Sequence, residues 1–307
     1  MILRSCLAAW WRLTRVPFLS LGIFPLILGF ALAWRQGYHG PLEPYLLTSV
    51  AVVLIMCMSY YLGEWNDRSG DRLNRTFTRF SGGSRVLVEE SLPPRVALLL
   101  GYLCLVGAAG LVLYLFFEYR PSVWTLLLGG SGIFLGFFYS GRPLRWAYRG
   151  LGEIFIGFCY SWLPIATGFF LFAGFFSMEV FLLSIPVGLS VFNVILINEF
   201  PDEEADRWIG KRNLVVRFGK ERMADLYLGL AILLGFVFVR VLLSEAGKPF
   251  WIPLLSLFPL FLLLWAIWQV ARQDYRDMKQ VEKLSRNTLF INVSMTLILI
   301  AQQVSRG

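Results

Sequence analysis

The chain has 307 residues, of which 57% are hydrophobic and only 16% charged, and its formal net charge is +8. A soluble domain carries about a quarter charged residues, so the composition excludes an ordinary soluble enzyme and points to a polytopic membrane protein. The positive excess is read as membrane topology and contact with anionic lipid of the bilayer; no nucleic acid partner is expected.

Apolar runs of about 20 residues fall, in chain order, at 16–34, 43–62, 96–117, 123–139, 151–174, 180–198, 224–243, 250–269 and 287–304. They predict an all-α fold in which nine transmembrane helices form a single domain over residues 1–307. The first run, "VPFLSLGIFPLILGFALAW", is long enough to remain as a spanning helix, so no separate signal peptide is expected. All but five of the 28 Lys and Arg residues precede the first span or fall in four links, at about 63–95, 140–150, 199–223 and 270–286. The five are Arg35, Arg120, Arg240, Lys248 and Arg306. The positive-inside rule therefore puts the N-terminus and these links in the cytoplasm and the C-terminus outside, in the inner (cytoplasmic) membrane. Cys6, Cys57, Cys104 and Cys159 show no pairing pattern, and the single His39 argues against a histidine metal site or base.

The link after the second span opens with "GEWNDRSGDRLNR", residues 63–75. Glu64, Asp67 and Asp71 stand at i, i+3 and i+7, which at about 100° per residue puts all three carboxylates on one helix face. Like charges held together repel, so the arrangement calls for a cation or a cationic ligand. The link after the sixth span repeats the spacing in "NEFPDEEADRWIGKR", with Glu199, Asp202 and Asp206. A single acidic helix end is most simply a solvated charge cluster; two matched copies on the same membrane face favour a divalent-cation site, with Mg2+ bridged by a polyphosphate as the expected occupant. Basic residues are interleaved with the acids: Arg72, Arg75, Arg79 and Arg85 around "SGGS" (81–84), Arg142, Arg145 and Arg149 in "YSGRPLRWAYRGLGE", and Lys211 and Arg212. Most serve topology, yet some could meet phosphate oxygens beside the metal. Phe-rich runs such as "GIFLGFFY" and "GFFLFAGFF" could wall an apolar tunnel beneath such a site.

The paired motifs resemble those of the UbiA superfamily of intramembrane prenyltransferases, N-D-x-x-D-x-x-x-D and D-x-x-x-D. "NEFPDEEADRWIGKRNLVVRFG" is the closer match, and "RVPFLSLGIFPLILG", "FSGGSRVL" and "YRGLGE" are most similar to the branch acting on 1,4-dihydroxy-2-naphthoate. Gly63 replaces the usual Asn of the first motif, and Glu64 and Glu199 replace Asp. The resemblance implies nine helices around a central cavity, with the two pseudo-repeated acid motifs at its cytoplasmic end. It implies catalytic metal-holding by Asp67, Asp71, Asp202 and Asp206, with Glu64 and Glu199 as further metal ligands of Mg2+. Arg15, Arg72, Tyr139, Arg145, Asn198, Lys211 and Arg212 are the implied diphosphate-binding residues. The implied reaction moves a polyprenyl group from its diphosphate to a small aromatic acceptor, 1,4-dihydroxy-2-naphthoate in menaquinone biosynthesis. A 4-hydroxybenzoate or other lipid-quinone or lipid acceptor is the alternative. A cation-coupled transporter is the reading from another class, but transporter sites lie near the midplane beside broken helices, whereas these acids sit at one face.

Overall fold

The computed structural model describes residues 2–243 and 249–305, with side chains from residue 8 onward. Lys248, Arg306 and the side chains of Arg4 and Cys6, used above for topology and pairing, lie outside the described residues. Among the described residues every regular element is a helix. A short helix that the span pattern did not reveal, α1 (Ile2–Leu13), precedes the first span. Arg15, in the left-handed conformation at φ 49°, turns the chain from α1 into α2 (Val16–Arg35), and Pro17 starts that helix where no donor is missed.

α3 (Leu42–Leu73) is one unbroken helix of 32 residues. At 1.5 Å per residue it is about 48 Å long, against about 30 Å for a bilayer hydrocarbon core. Its last turns therefore project beyond the apolar layer and carry the first acid motif with them. α4 (Pro94–Glu118) returns, and α5 (Val123–Phe137) follows as a shorter apolar helix. The predicted fourth span to 139 ends two residues early, so Tyr139 sits in the turn after the helix.

The predicted fifth span is broken into α6 (Gly152–Cys159) and α7 (Trp162–Ala173). Pro164 is the cause: it has no N–H for the carbonyl of Tyr160, and its ring crowds that carbonyl. α8 (Met178–Asn198) ends at the second acid motif, followed by α9 (Glu203–Trp208) and α10 (Leu214–Phe218) along the same membrane face. α11 (Lys220–Leu243), α12 (Trp251–Ala271) and α13 (Met278–Val304) complete the chain; α13 begins nine residues before the predicted span. Among the described residues eight segments are long and apolar enough to cross a membrane, α6 and α7 counting together. With α5 they give the nine expected spans.

Two bodies of apolar packing form. The larger joins α2, α7, α8 and α11–α13, and the smaller joins α1, α3 and α4. In the first, α2 and α7 approach through glycine: a Cβ on Gly29 would lie 2.2 Å from the Ile165 carbonyl oxygen, and one on Gly168 would lie 2.5 Å from that of Leu26. Small residues are what lets two helices touch backbone to backbone in lipid. The central cavity opens where the two bodies meet.

Candidate active site

The cavity has a volume of about 280 Å3 and one polar end. All six motif acids, Glu64, Asp67, Asp71, Glu199, Asp202 and Asp206, line it. The first three do so from one face of α3, as their spacing predicts. The second set reaches the same place differently. Pro201 cannot continue α8, so Asn198 and Glu199 end that helix, Asp202 stands before α9, and Asp206 lies within it. The two motifs are alike in spacing but not in backbone.

The link after α3 holds the motifs together. Asn74 Nδ2 donates to Asp202 Oδ1 at 2.7 Å, and Thr76 Oγ1 donates to the Pro201 carbonyl at 2.6 Å. The "SGGS" segment closes over the acids: the Gly82 amide donates to Asp202 Oδ2 at 3.1 Å. Gly83, at φ +71°, approaches so closely that a Cβ there would lie 2.2 Å from Asp71 Oδ2. Glycine is required on both counts. Glu64 is fully engaged, accepting from Arg15 Nη2 at 2.9 Å, from the Ser84 amide at 2.7 Å and from Ser84 Oγ at 2.8 Å.

Of the predicted diphosphate-binding residues, Arg15, Tyr139, Asn198 and Lys211 line the cavity, while Arg72, Arg145 and Arg212 do not. Arg72 faces Glu90 at 3.7 Å on the surface, and Arg212 is exposed. Arg145 lines a separate surface pocket with Asn66 and Arg142, its guanidinium 3.6 Å from the ring centre of Tyr148. Tyr148 stands between it and the acids, its hydroxyl donating to Asp67 Oδ1 at 2.7 Å, and the Arg145 charge is felt at Asp67. Lys211 Nζ lies 3.1 Å from Asp206 Oδ2, an oxygen that also accepts from Asn213 Nδ2 at 2.8 Å.

Sequence reasoning missed Tyr148, Asn74, Asn213 and a phenol pair, Tyr60 and Tyr160, which face the cavity and meet at 3.3 Å between their hydroxyls. Tyr160 lies in the α6–α7 break, so the signal was Pro164 inside an apolar run.

Electrostatics favour a cationic ligand. Burial, then the charge of Asp206, raises the Asp202 carboxyl above its usual range. Burial likewise raises Glu199 well above its usual value. Burial alone would lower Lys211, but Asp206 and Asp67 outweigh it and hold the ammonium charged. Among the described residues no three acidic, histidine or cysteine side chains converge as they stand on one metal position; Glu64 and Asp206 are turned toward their basic partners. The donor set nevertheless fits an oxygen-seeking divalent ion. It is all carboxylate and amide oxygen, and Asn198 Oδ1 is buried there without a hydrogen-bond partner among the described residues.

The chain is 28% identical over 214 residues to the 1,4-dihydroxy-2-naphthoate octaprenyltransferase of Escherichia coli (strain K12), covering 69% of each chain. It is 26% identical over 291 residues to the 2-carboxy-1,4-naphthoquinone phytyltransferase of Synechocystis sp. (strain ATCC 27184 / PCC 6803 / Kazusa), covering 93% of this chain and 88% of that one. Its fold is similar to that of a UbiA homologue from Archaeoglobus fulgidus solved with DMAPP and Mg2+, with a TM-score of 0.62 at 17% identity over 94% of this chain and 99% of that one. Residues 22–292, which carry both acid motifs, match the UbiA prenyltransferase family, and the chain belongs to that family.

Proposed function

We propose that the chain moves a polyprenyl group from its diphosphate to an aromatic acceptor, 1,4-dihydroxy-2-naphthoate, in menaquinone biosynthesis. The observation that carries this reading is the single cavity with six carboxylates at one end and apolar walls beyond them. The diphosphate sits at the acids and the prenyl tail lies in the apolar part. The Escherichia coli relative is named for this acceptor, and the Archaeoglobus homologue holds an allylic diphosphate together with Mg2+.

Asp67, Asp71, Asp202 and Asp206 hold Mg2+ with the Asn198 amide oxygen, while Glu64 and Glu199 shape the site around them. Bound there, the ion supplies neutralising charge to the diphosphate. Lys211 and Arg15, both on the cavity wall, add positive charge where negative charge grows as the carbon–oxygen bond breaks. The departing diphosphate leaves an allylic cation. Tyr60, Tyr139 and Tyr160 line the cavity beside the acids, and their ring faces stabilise that cation while apolar walls exclude water. The acceptor ring then attacks through carbon, and the substituent on that carbon, a proton or the carboxyl group as CO2, leaves to restore aromaticity. No nucleophile from the protein is needed.

The protein works as one domain in the cytoplasmic membrane, with the acids and N-terminus on the cytoplasmic side, as the Lys and Arg distribution supports. Mass spectrometry of products made by the purified protein in lipid nanodiscs, with each of several acceptors and prenyl diphosphates, tests the reading. A prenylated naphthoate-derived product is expected; prenylation of 4-hydroxybenzoate alone would redirect the acceptor assignment.

A further inference from the structure

The stretch "YRGLGE", residues 148–153, contributes nothing to the cavity wall, yet Glu153 at its end is fully buried. A carboxyl group is costly to bury unless it is hydrogen-bonded, and ionisable residues kept in membrane helices mark function by default. Glu153 is engaged twice. Its Oε1 accepts from the Leu214 amide at 2.6 Å, and its carboxyl is hydrogen-bonded to that of Glu199. It thereby joins three elements: the start of α6, the end of α8 and the start of α10.

Leu214 directly follows the segment that carries Lys211, and the rest of "YRGLGE" grips that segment from outside. The Arg212 amide donates to the Tyr148 carbonyl at 3.2 Å. Arg217 Nη2 donates to the Arg149 carbonyl at 2.5 Å, and its Nε to the Arg212 carbonyl at 2.8 Å. Gly150, at φ +67°, comes so near that a Cβ there would lie 2.8 Å from the Arg212 carbonyl oxygen, a contact only glycine permits. From inside, the Lys211 amide donates to the Asp206 carbonyl at 2.9 Å, and Asn213 Nδ2 donates to Asp206 Oδ2 at 2.8 Å. Residues 211–214 are thus held on both sides.

Of these four residues only Lys211 lines the cavity. Its ammonium feels Asp206, Asp67 and Asp202, acids of both motifs. Where it points therefore decides how its charge is shared between the acids and a ligand among them. A misplacement of about 1 Å in such a group can cost on the order of a hundredfold in rate.

We propose that Glu153 is a positioning residue for the reaction. Through Leu214 it fixes the 211–214 segment and so aims the Lys211 ammonium at the departing diphosphate. Glu153 touches neither substrate; its effect is confined to the diphosphate donor and leaves the acceptor's binding alone. This rests on the placement of the diphosphate at the acids proposed above.

The test is a double-variant cycle on purified protein in nanodiscs. It is read by calorimetric binding of inorganic diphosphate at saturating Mg2+, and by kinetics with octaprenyl diphosphate and 1,4-dihydroxy-2-naphthoate. Glu153→Ala should weaken diphosphate binding and lower kcat/KM for the donor by about tenfold or more, with the acceptor's KM held within about twofold. In a Lys211→Ala background the same substitution should cost less than about threefold further. Glu153→Gln keeps an oxygen for the Leu214 amide and gives Glu199 a donor, so its diphosphate affinity should stay within about threefold of wild type. Equal losses in the two backgrounds would overturn the inference, because an effect through Glu199 or through general loosening persists without the lysine. If Glu153→Ala does not fold, Glu153→Asp decides by the same cycle. It keeps the carboxyl but is one methylene short of Leu214, and undiminished diphosphate binding in it would equally overturn the inference. Wild-type protein that binds no diphosphate sinks the placement of the diphosphate and this inference with it, whereas binding that Glu153→Ala leaves intact sinks the role of Glu153 alone.

Discussion

Arg15 Nη2 lies 2.9 Å from Glu64 Oε1, joining the turn before the first span to the first acid of the first motif. Both oxygens of this carboxylate, which is 5% exposed, are already satisfied by Arg15 and Ser84. Glu64 therefore holds the "SGGS" segment and α2 against α3 before it does anything for a metal. Glutamate, longer than the Asp usual in the family's motif, is the residue that reaches this far.

Glu64→Gln is accordingly expected to act on stability as well as activity. It removes a charge from a buried, hydrogen-bonded pair, a change that costs on the order of 3 kcal/mol when the partner is left alone. Arg15 is about one-third exposed, which softens the loss. Thermal unfolding in detergent should show Glu64→Gln below wild type, and Arg15→Gln/Glu64→Gln less destabilised than the sum of the single variants. Strict additivity would show that the pair is not coupled.

Asp67 should behave differently. Its charge acts on Lys211 as well as on Asp206, and the hydrogen bond it accepts from Tyr148 can be made equally well to an amide oxygen. Asp67→Asn should abolish turnover, by at least a hundredfold, while lowering the stability of the metal-free protein less than Glu64→Gln does. Chelation with EDTA should stop the wild type, and added Mg2+ should restore it. Full activity after removal of bound metal would defeat the cation role of these acids.

The register of the first motif is testable beside it. Asn66 faces the surface pocket of Arg142 and Arg145, away from the acids. Asn66→Ala should keep kcat/KM within about threefold, about 0.7 kcal/mol. A larger loss than that of Asp67→Asn would mean that the "ND" dipeptide, and not Glu64 with Asp67, marks the motif.

Among the basic residues, position separates the outcomes. Lys211→Ala should lower kcat/KM more than tenfold, about 1.4 kcal/mol or more, because its ammonium lines the cavity beside Asp206. Arg212→Ala should change little, since Arg212 is exposed and outside the cavity. Kinetics on both purified variants at saturating Mg2+ decides; equal losses would reduce both residues to membrane-face charges.

Much of this was legible in the sequence because lipid imposes simple rules. Span length, the Lys and Arg bias and the i, i+3, i+7 spacing each follow from one physical constraint, and Glu64, Asp67 and Asp71 share the face that their spacing predicts. Contacts between distant links were not legible. Nothing local ties Arg15 to Glu64, Asn74 to Asp202, or Tyr148 to Asp67. For the same reason adjacency misled: Lys211 and Arg212 are neighbours in sequence, yet Lys211 turns inward and Arg212 outward. The break at Pro164 was visible as a proline in an apolar run, but its consequence, a phenol pair facing the cavity, depends on how α3 meets the segment between α6 and α7.

The most direct measurement of the central claim is single-turnover product analysis with purified protein in nanodiscs, Mg2+, octaprenyl diphosphate and 1,4-dihydroxy-2-naphthoate. The account predicts a naphthoate-derived product bearing the intact octaprenyl group, one diphosphate released per product, and no product when Asp67→Asn replaces the wild type. Wild-type protein that binds the diphosphate but forms no carbon-prenylated product with this or any other acceptor would contradict it.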